Sequence, residues 1–193
     1  MGAEILQYHT TFLNGKTRLQ MNESLNFFFD NLRPEPRVLE IGTRRWGPNP
    51  THHKELFPTA RQYVMLDYTP GQDVDLVGDA HALSSLFNTK FDAVWSSATW
   101  EHLHSPWVAA EEVLKILNDG GVFFISTHQT FPIHGYPSDF FRFTKEALER
   151  LFIGAKRSVA SYEYPCTITP HNKAIEWNAA APSFLNVNIA GIK

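Results

Sequence analysis

The 193-residue chain has one cysteine, Cys166, so it can close no disulfide within itself and cannot build a cysteine-rich zinc site. No apolar run approaches the roughly 20 residues that span a bilayer. The N-terminus lacks the basic-then-apolar pattern of a secretion signal. Leu6 stands where a myristoylation motif beginning Met1-Gly2 needs Ser or Thr. A soluble, cytoplasmic protein is the expectation, and the glycosylation triplet Asn22-Glu23-Ser24 carries no weight in that setting. There is no surplus of one charge either: a formal net charge of -3 gives no reason to expect nucleic acid or a membrane as partner. Also missing are an internal repeat and a GxGxxG, hence the pyrophosphate cradle of dinucleotide-binding folds.

What remains reads as one domain, 1–193, large enough to bury a core without staples. Residues 1–36 form an N-terminal helical cap, with Met21, Leu25, Phe28, Phe29 and Leu32 at helical spacing, ended by Arg33-Pro34-Glu35-Pro36. Residues 37–152 alternate strand and helix signals. Strands are expected at Val38–Ile41, Tyr63–Tyr68, Val74–Asp79, Phe91–Ser97 and Val122–Thr127. Between them, Thr51 caps a helix to about Phe57, Ala80–Phe87 is helical, and Ser105-Pro106 opens a helix that Asn118-Asp119-Gly120-Gly121 ends. A long aromatic loop, His128–Phe143, precedes a helix capped by Thr144 and running through Phe152. In the last segment, 153–193, Ser158–Tyr164 and Phe184–Ile192 read as an antiparallel pair of edge strands. The fold class is α/β: a Rossmann-like, doubly wound, mostly parallel sheet of about seven strands with helices on both faces.

Ligands of such sheets bind outside the carboxyl ends of the strands. Gly42, directly after the apolar run Val38-Leu39-Glu40-Ile41, lets the backbone turn and come close to a ligand. Asp67 ends the second strand 25 positions later, close to the spacing at which an acidic residue holds a ribose.

Several segments in order resemble the class I S-adenosylmethionine-dependent methyltransferases, in particular the type 11 branch. These are Val38-Leu39-Glu40-Ile41-Gly42, Asp67, Gly78-Asp79-Ala80, Phe91-Asp92-Ala93-Val94, Trp100-Glu101-His102-Leu103 and Val113–Gly121. The resemblance covers roughly Arg37 to Phe152 and implies S-adenosylmethionine as cofactor. It implies that Glu40 and Gly42, with Thr43, shape the methionine end of the pocket. Asp67, with Tyr68 beside it, would take the ribose hydroxyls; Asp79 and Ala80 would meet the adenine, and Ser96 would complete the cofactor set. Where the family loop carries glycines at alternate positions, this sequence has Arg44 and Trp46. Either Arg44 points away and Gly47 supplies the flexibility, or the loop is occluded and the chain is a catalytically silent scaffold binding a partner.

Methyl transfer to oxygen needs alignment and a base, and histidine titrates near neutrality. His102, His104, His128 and His134 follow the fourth and fifth strands, whereas His9, His52, His53 and His171 read as surface residues. The resemblance places His102 beside the methyl-transfer centre. Pro132–Phe143 resembles a variant found in methyltransferases of glycan pathways. In it, His134 or Asp139 are candidate bases, Tyr136, Phe140 and Phe141 an acceptor wall, and Arg142 a clamp for an anionic group, with His128 as a further acceptor contact. The competing reading makes Asp139 and Arg142 a local ion pair. No third ligand accompanies His134 and Asp139 at metal-site spacing, so no metal is expected. The expected acceptor is a small hydroxylated molecule or sugar; the sequence does not set the oligomeric state.

Overall fold

The computed structural model describes residues 23–168 and 183–193. Met21, His9 and His171 lie outside the described residues. Seven strands form one sheet in the order β3-β2-β1-β4-β5-β7-β6. They are β1 Arg37–Ile41, β2 Gln62–Asp67, β3 Leu76–Val77, β4 Phe91–Ser97, β5 Leu117–His128, β6 Arg157–Cys166 and β7 Ser183–Ile192. β1 to β5 pair in parallel, while β7 runs antiparallel to both β5 and β6. Chain order reverses across the β1–β4 pair, and that switch point is where the carboxyl ends of an open sheet leave a crevice.

Alternation along the strands sends side chains to two separate cores. Leu39, Ile41, Val94, Phe123, Ile125, Val187 and Ile189 meet the helices Pro106–Ile116 and Lys145–Leu151 on one face. Val38, Ala93, Trp95, Val122, Phe124 and Ala190 meet the helix Glu23–Asp30 on the other. Phe28 is wholly buried there, edge-on to Trp95 at 5.4 Å, and Trp95 stacks on Phe124 at 4.4 Å. Burial of each such ring is worth about 1.5–3 kcal/mol. Buried Ser24 Oγ donates to Val159 O at 2.8 Å, fastening this helix to β6. Among the described residues no helix is long and apolar enough to cross a membrane.

The structure departs from the sequence expectation in its connections. Thr51 caps no helix: its hydroxyl donates to Thr43 O at 2.9 Å, and the Glu40 carboxylate takes the His53 N–H, leaving one 3-10 turn, Lys54–Leu56. The expected helix Ala80–Phe87 breaks into a 3-10 turn, Ala80–Ala82, and a short helix, Leu83–Leu86, where Ala82 adopts φ -140°. The third strand shrinks to Leu76–Val77. Ser105 does not cap with its side chain; its N–H donates to His81 Nε2 and its hydroxyl meets His104 Nδ1. The stretch Asn118–Gly121 does not turn out of the sheet but joins β5 through an irregularity in register opposite Phe91 and Ala93. The two late strands do pair antiparallel, with β7 inserted between β5 and β6, so that of these two strands β6 alone lies at an edge. Thr144 caps its helix as expected, accepting from Ala147 N at 3.2 Å.

Candidate active site

The crevice side of the sheet is built first from β1. Gly42 turns with φ +86°, and a β-carbon there would lie 1.9 Å from Thr99 Oγ1. Thr99 is thus one close approach that demands glycine here. Gly42 N–H donates to Leu66 O at 2.8 Å, continuing the β1–β2 ladder past the strand end. Glu40 is 2% exposed. It accepts from His53 N–H at 2.9 Å, meets His53 Nδ1 at 2.7 Å and accepts the Tyr63 hydroxyl. Burial, reinforced by Glu40, pushes Tyr63 far above its ordinary pKa, so its hydroxyl keeps the proton it donates. Glu40 thus fixes the 51–57 loop beside the carboxyl end of β1.

The loop after Gly42 is tied to the loop after β2. Thr43 Oγ1 donates to Asp73 O at 2.6 Å, and Arg45 Nε meets Asp73 Oδ2 at 2.6 Å. Asp67 accepts from Arg44 N–H at 3.0 Å on Oδ2, and from Thr69 N–H and Oγ1 at 3.0 and 3.1 Å on Oδ1. A carboxylate has about four acceptor sites, so Asp67 keeps capacity on Oδ2 for a ribose hydroxyl. The Arg44 side chain lies across Gly71, and its guanidinium sits 3.6 Å over the ring of Trp46, which is 81% exposed. Tyr68 is also exposed. Thr43 and Ser96 are fully buried, and Ser96 Oγ donates to Ile41 O at 3.0 Å, so both brace the strand ends. Asp79 uses one oxygen for His81 N–H and Nδ1 at 2.9 and 2.6 Å, which leaves the other without a bond from His81. Partial burial pushes Asp79 up, but the His81 hydrogen bonds and charge outweigh it and hold its pKa below the ordinary value. His81 stacks on His104 at 4.1 Å, beside buried Ala80.

A second cluster lies beyond the carboxyl ends of β4 and β5. Glu101, in the 3-10 turn Trp100–His102, is 0% exposed. Its Oε2 accepts the Thr127 hydroxyl at 2.7 Å. Three imidazole nitrogens surround its Oε1: His128 Nε2 at 3.1 Å, His134 Nε2 at 3.6 Å and His102 Nε2 at 3.9 Å. His134 and His102 stand beyond hydrogen-bond distance; His128 is within reach but off the line of a well-formed bond, so Oε1 has no aligned donor among the described residues. Burial raises the proton affinity of Glu101, but His128 and Thr127 outweigh burial and keep its pKa below the ordinary glutamate value. Sequence reasoning named His102, His128 and His134 but gave no role to Glu101 as the hub on which they converge. The signal available was its place beside His102 just after β4, with Thr127 and His128 ending the neighbouring strand.

The aromatic loop closes over this cluster. Phe140 N–H donates to Glu101 O at 2.8 Å, and Gly135, at φ +61°, lets the loop descend so far that a β-carbon would meet His102 Cε1 at 2.8 Å. A cavity of about 290 Å³ opens beside it, lined by Phe131, Ile133, Asp139, Phe140, Phe141 and Arg142. Tyr136 is absent from that lining and is 87% exposed. Arg142 is not a free clamp for an anion, because all five of its N–H groups are engaged. Nη1 donates to Asp139 Oδ1 and Phe141 O, Nη2 to Asp139 Oδ2 and Pro132 O, and Nε to Phe131 O. Those bonds hold the Asp139 carboxyl far below the usual range, which makes it a poor proton acceptor. Asp139 Oδ2 instead accepts His134 N–H at 2.9 Å and so orients that histidine.

The architecture is shared with methyltransferases of known structure. A S-adenosylmethionine-dependent methyltransferase from Archaeoglobus fulgidus matches with TM-score 0.63 at 15% identity, over 88% of this chain and 91% of that one. The YcgJ protein of Bacillus subtilis matches with TM-score 0.57 at 19% identity, over 88% and 97%. A structure of the Haloferax volcanii Trm112 methyltransferase activator in complex with a methyltransferase matches with TM-score 0.54 at 14% identity, over 88% and 87%. No curated protein matches the chain at a significant level. The family model described as a methyltransferase domain matches residues 13–173, most of the chain. With the seven-stranded sheet and the motif order in agreement, the chain belongs to the methyltransferase domain family, in the S-adenosylmethionine-dependent class I group.

Proposed function

We propose that this enzyme moves the methyl group of S-adenosylmethionine to a hydroxyl of a small polar acceptor, a sugar or hydroxylated metabolite. The observation that carries this reading is the convergence of His102, His128 and His134 on the buried Glu101 at the crevice edge. The cofactor supplies an activated methyl on sulfonium sulfur, and the chain supplies alignment and a place for the proton. Asp67 would hold the ribose with its spare acceptor capacity, and Asp79, through its second oxygen, with Ala80 would meet the adenine. Arg44 and Trp46 stack on each other at the rim, with Trp46 in solvent, which supports an open rather than occluded cofactor loop.

At the acceptor, His102 Nδ1 lies 2.6 Å from Ser138 O and His134 Nδ1 lies 3.1 Å from Pro132 O. A carbonyl only accepts, so each Nδ1 carries the hydrogen and each neutral ring presents a lone pair at Nε2, the form a general base needs. As the new C–O bond forms, the S–CH₃ bond breaks and its electron pair stays on sulfur, while the acceptor's proton passes to an imidazole Nε2. Ionised Glu101 stabilises the imidazolium so formed. Phe140 and Phe141 give the acceptor an apolar wall, and the single cysteine supports a reducing, cytoplasmic setting. The reading is tested by incubating the protein with labelled S-adenosylmethionine and a panel of sugars and small alcohols. Label transferred to an acceptor oxygen supports it; transfer only to nitrogen or carbon overturns the hydroxyl assignment.

A further inference from the structure

We propose that Glu101, His102 and His134 form a binding site for one divalent transition-metal ion of the zinc type. Glu101 Oε1, His102 Nε2 and His134 Nε2 belong to side chains whose ligating atoms all lie within 4.8 Å of one another. The two imidazole nitrogens are 3.9 and 3.6 Å from Oε1, too far to be hydrogen-bonded to it. They are close to the roughly 3.3 Å that separates ligands of a tetrahedral ion with bonds of about 2.0 Å. Both rings have Nδ1 against a backbone carbonyl, so each in its neutral form offers the Nε2 lone pair on the side of Glu101 Oε1. A metal cation at the centre would meet the carboxylate and both neutral rings with attraction at once. The unsatisfied Oε1 of a fully buried carboxylate is the independent sign that something is missing from that point.

The surroundings have the form that supports metal ligands. Carbonyls of Ser138 and Pro132 fix the tautomers, the Thr127 hydroxyl holds the other oxygen of Glu101, and His128 Nε2 stands 3.1 Å from Oε1. Two imidazoles and one carboxylate suit zinc, iron(II) or cobalt(II) rather than magnesium, and three protein ligands leave a position open. The set replaces the pair considered from sequence, His134 with Asp139: Glu101 and His102 join His134, and Asp139 is not among the ligands. In the proposed reaction, on which this role rests, the open position would take the acceptor's oxygen and lower the pKa of its hydroxyl, whose proton would leave to water while the imidazoles act as ligands instead of as the base.

The test is a titration of the chelator-stripped protein with cobalt(II), followed by visible absorption, and with zinc(II), followed by calorimetry. One equivalent is expected to bind, with the intense absorption of a low-coordinate cobalt site. His102→Ala and His134→Ala, at side chains 28% and 31% exposed, should stay folded and each lose more than about 100-fold in affinity, beyond the 10–100-fold of an outer residue. No binding to folded protein, or binding unchanged in both variants, overturns the site. S-adenosylhomocysteine binding, measured on the same stripped samples, reports separately on the methyltransferase reading and is expected whether or not metal binds.

Discussion

Asp67 accepts the backbone N–H of Arg44 at 3.0 Å, so the expected ribose acceptor also anchors the loop in which this sequence departs from its family. One carboxylate couples the two. Asp67→Ala should lower S-adenosylhomocysteine affinity by about 10–100-fold, the loss of one or two charge-assisted hydrogen bonds. Calorimetry checks this, with circular dichroism confirming the fold. Unchanged affinity would remove Asp67 from the cofactor site.

Two glycines of the same region should respond differently to alanine. At Gly42 the positive φ and the Thr99 side chain leave no room, so Gly42→Ala should destabilise by more than about 2 kcal/mol in urea unfolding. At Gly71 the obstacle is the flexible Arg44 chain, 2.7 Å from an added β-carbon. Gly71→Ala should cost less than about 1 kcal/mol while shifting Arg44 off Trp46, read as a change in tryptophan fluorescence.

The Asp139–Arg142 pair gives a pH dependence whose sign is fixed. Arg142 holds the folded-state pKa of Asp139 below the ordinary value of about 3.9. The stabilisation is then complete above that value and is lost as pH falls below it, because the unfolded chain takes up the proton first. Urea midpoints measured from pH 6 down to pH 3 should fall less steeply for Asp139→Asn than for the parent. An equal slope would show that the pair does not contribute.

His134→Ala should reduce turnover by about 10²–10⁴-fold, whether the imidazole acts as base or as ligand, with cofactor affinity unchanged. Single-turnover kinetics and calorimetry separate the two quantities. A fully active variant would rule out both roles.

The sheet was largely legible because buried strands announce themselves as apolar runs: β4 occupies Phe91–Ser97, as expected from its sequence. Connections were not, since side chains at long range override local signals. Thr51 gives its hydroxyl to Thr43, and Glu40 captures the His53 N–H that a longer helix needed. The insertion of β7 beside β5 depends on pairing across some sixty residues, which periodicity does not encode. The histidines were legible as residues of the right edge, but their convergence was not. Glu101 and His134 lie 33 positions apart and meet only because Gly135 and the Arg142 network fold the loop back onto the turn after β4. Arg142, read from sequence as a free clamp or a local ion pair, proves saturated because its carbonyl partners come from the loop's own backbone.

The most direct test of the account is calorimetric titration of the purified protein with S-adenosylmethionine and S-adenosylhomocysteine. A single site with a Kd in the micromolar range is predicted, despite Arg44 and Trp46 at the loop. No heat of binding at millimolar ligand, with folded protein, would contradict it and point to a silent scaffold.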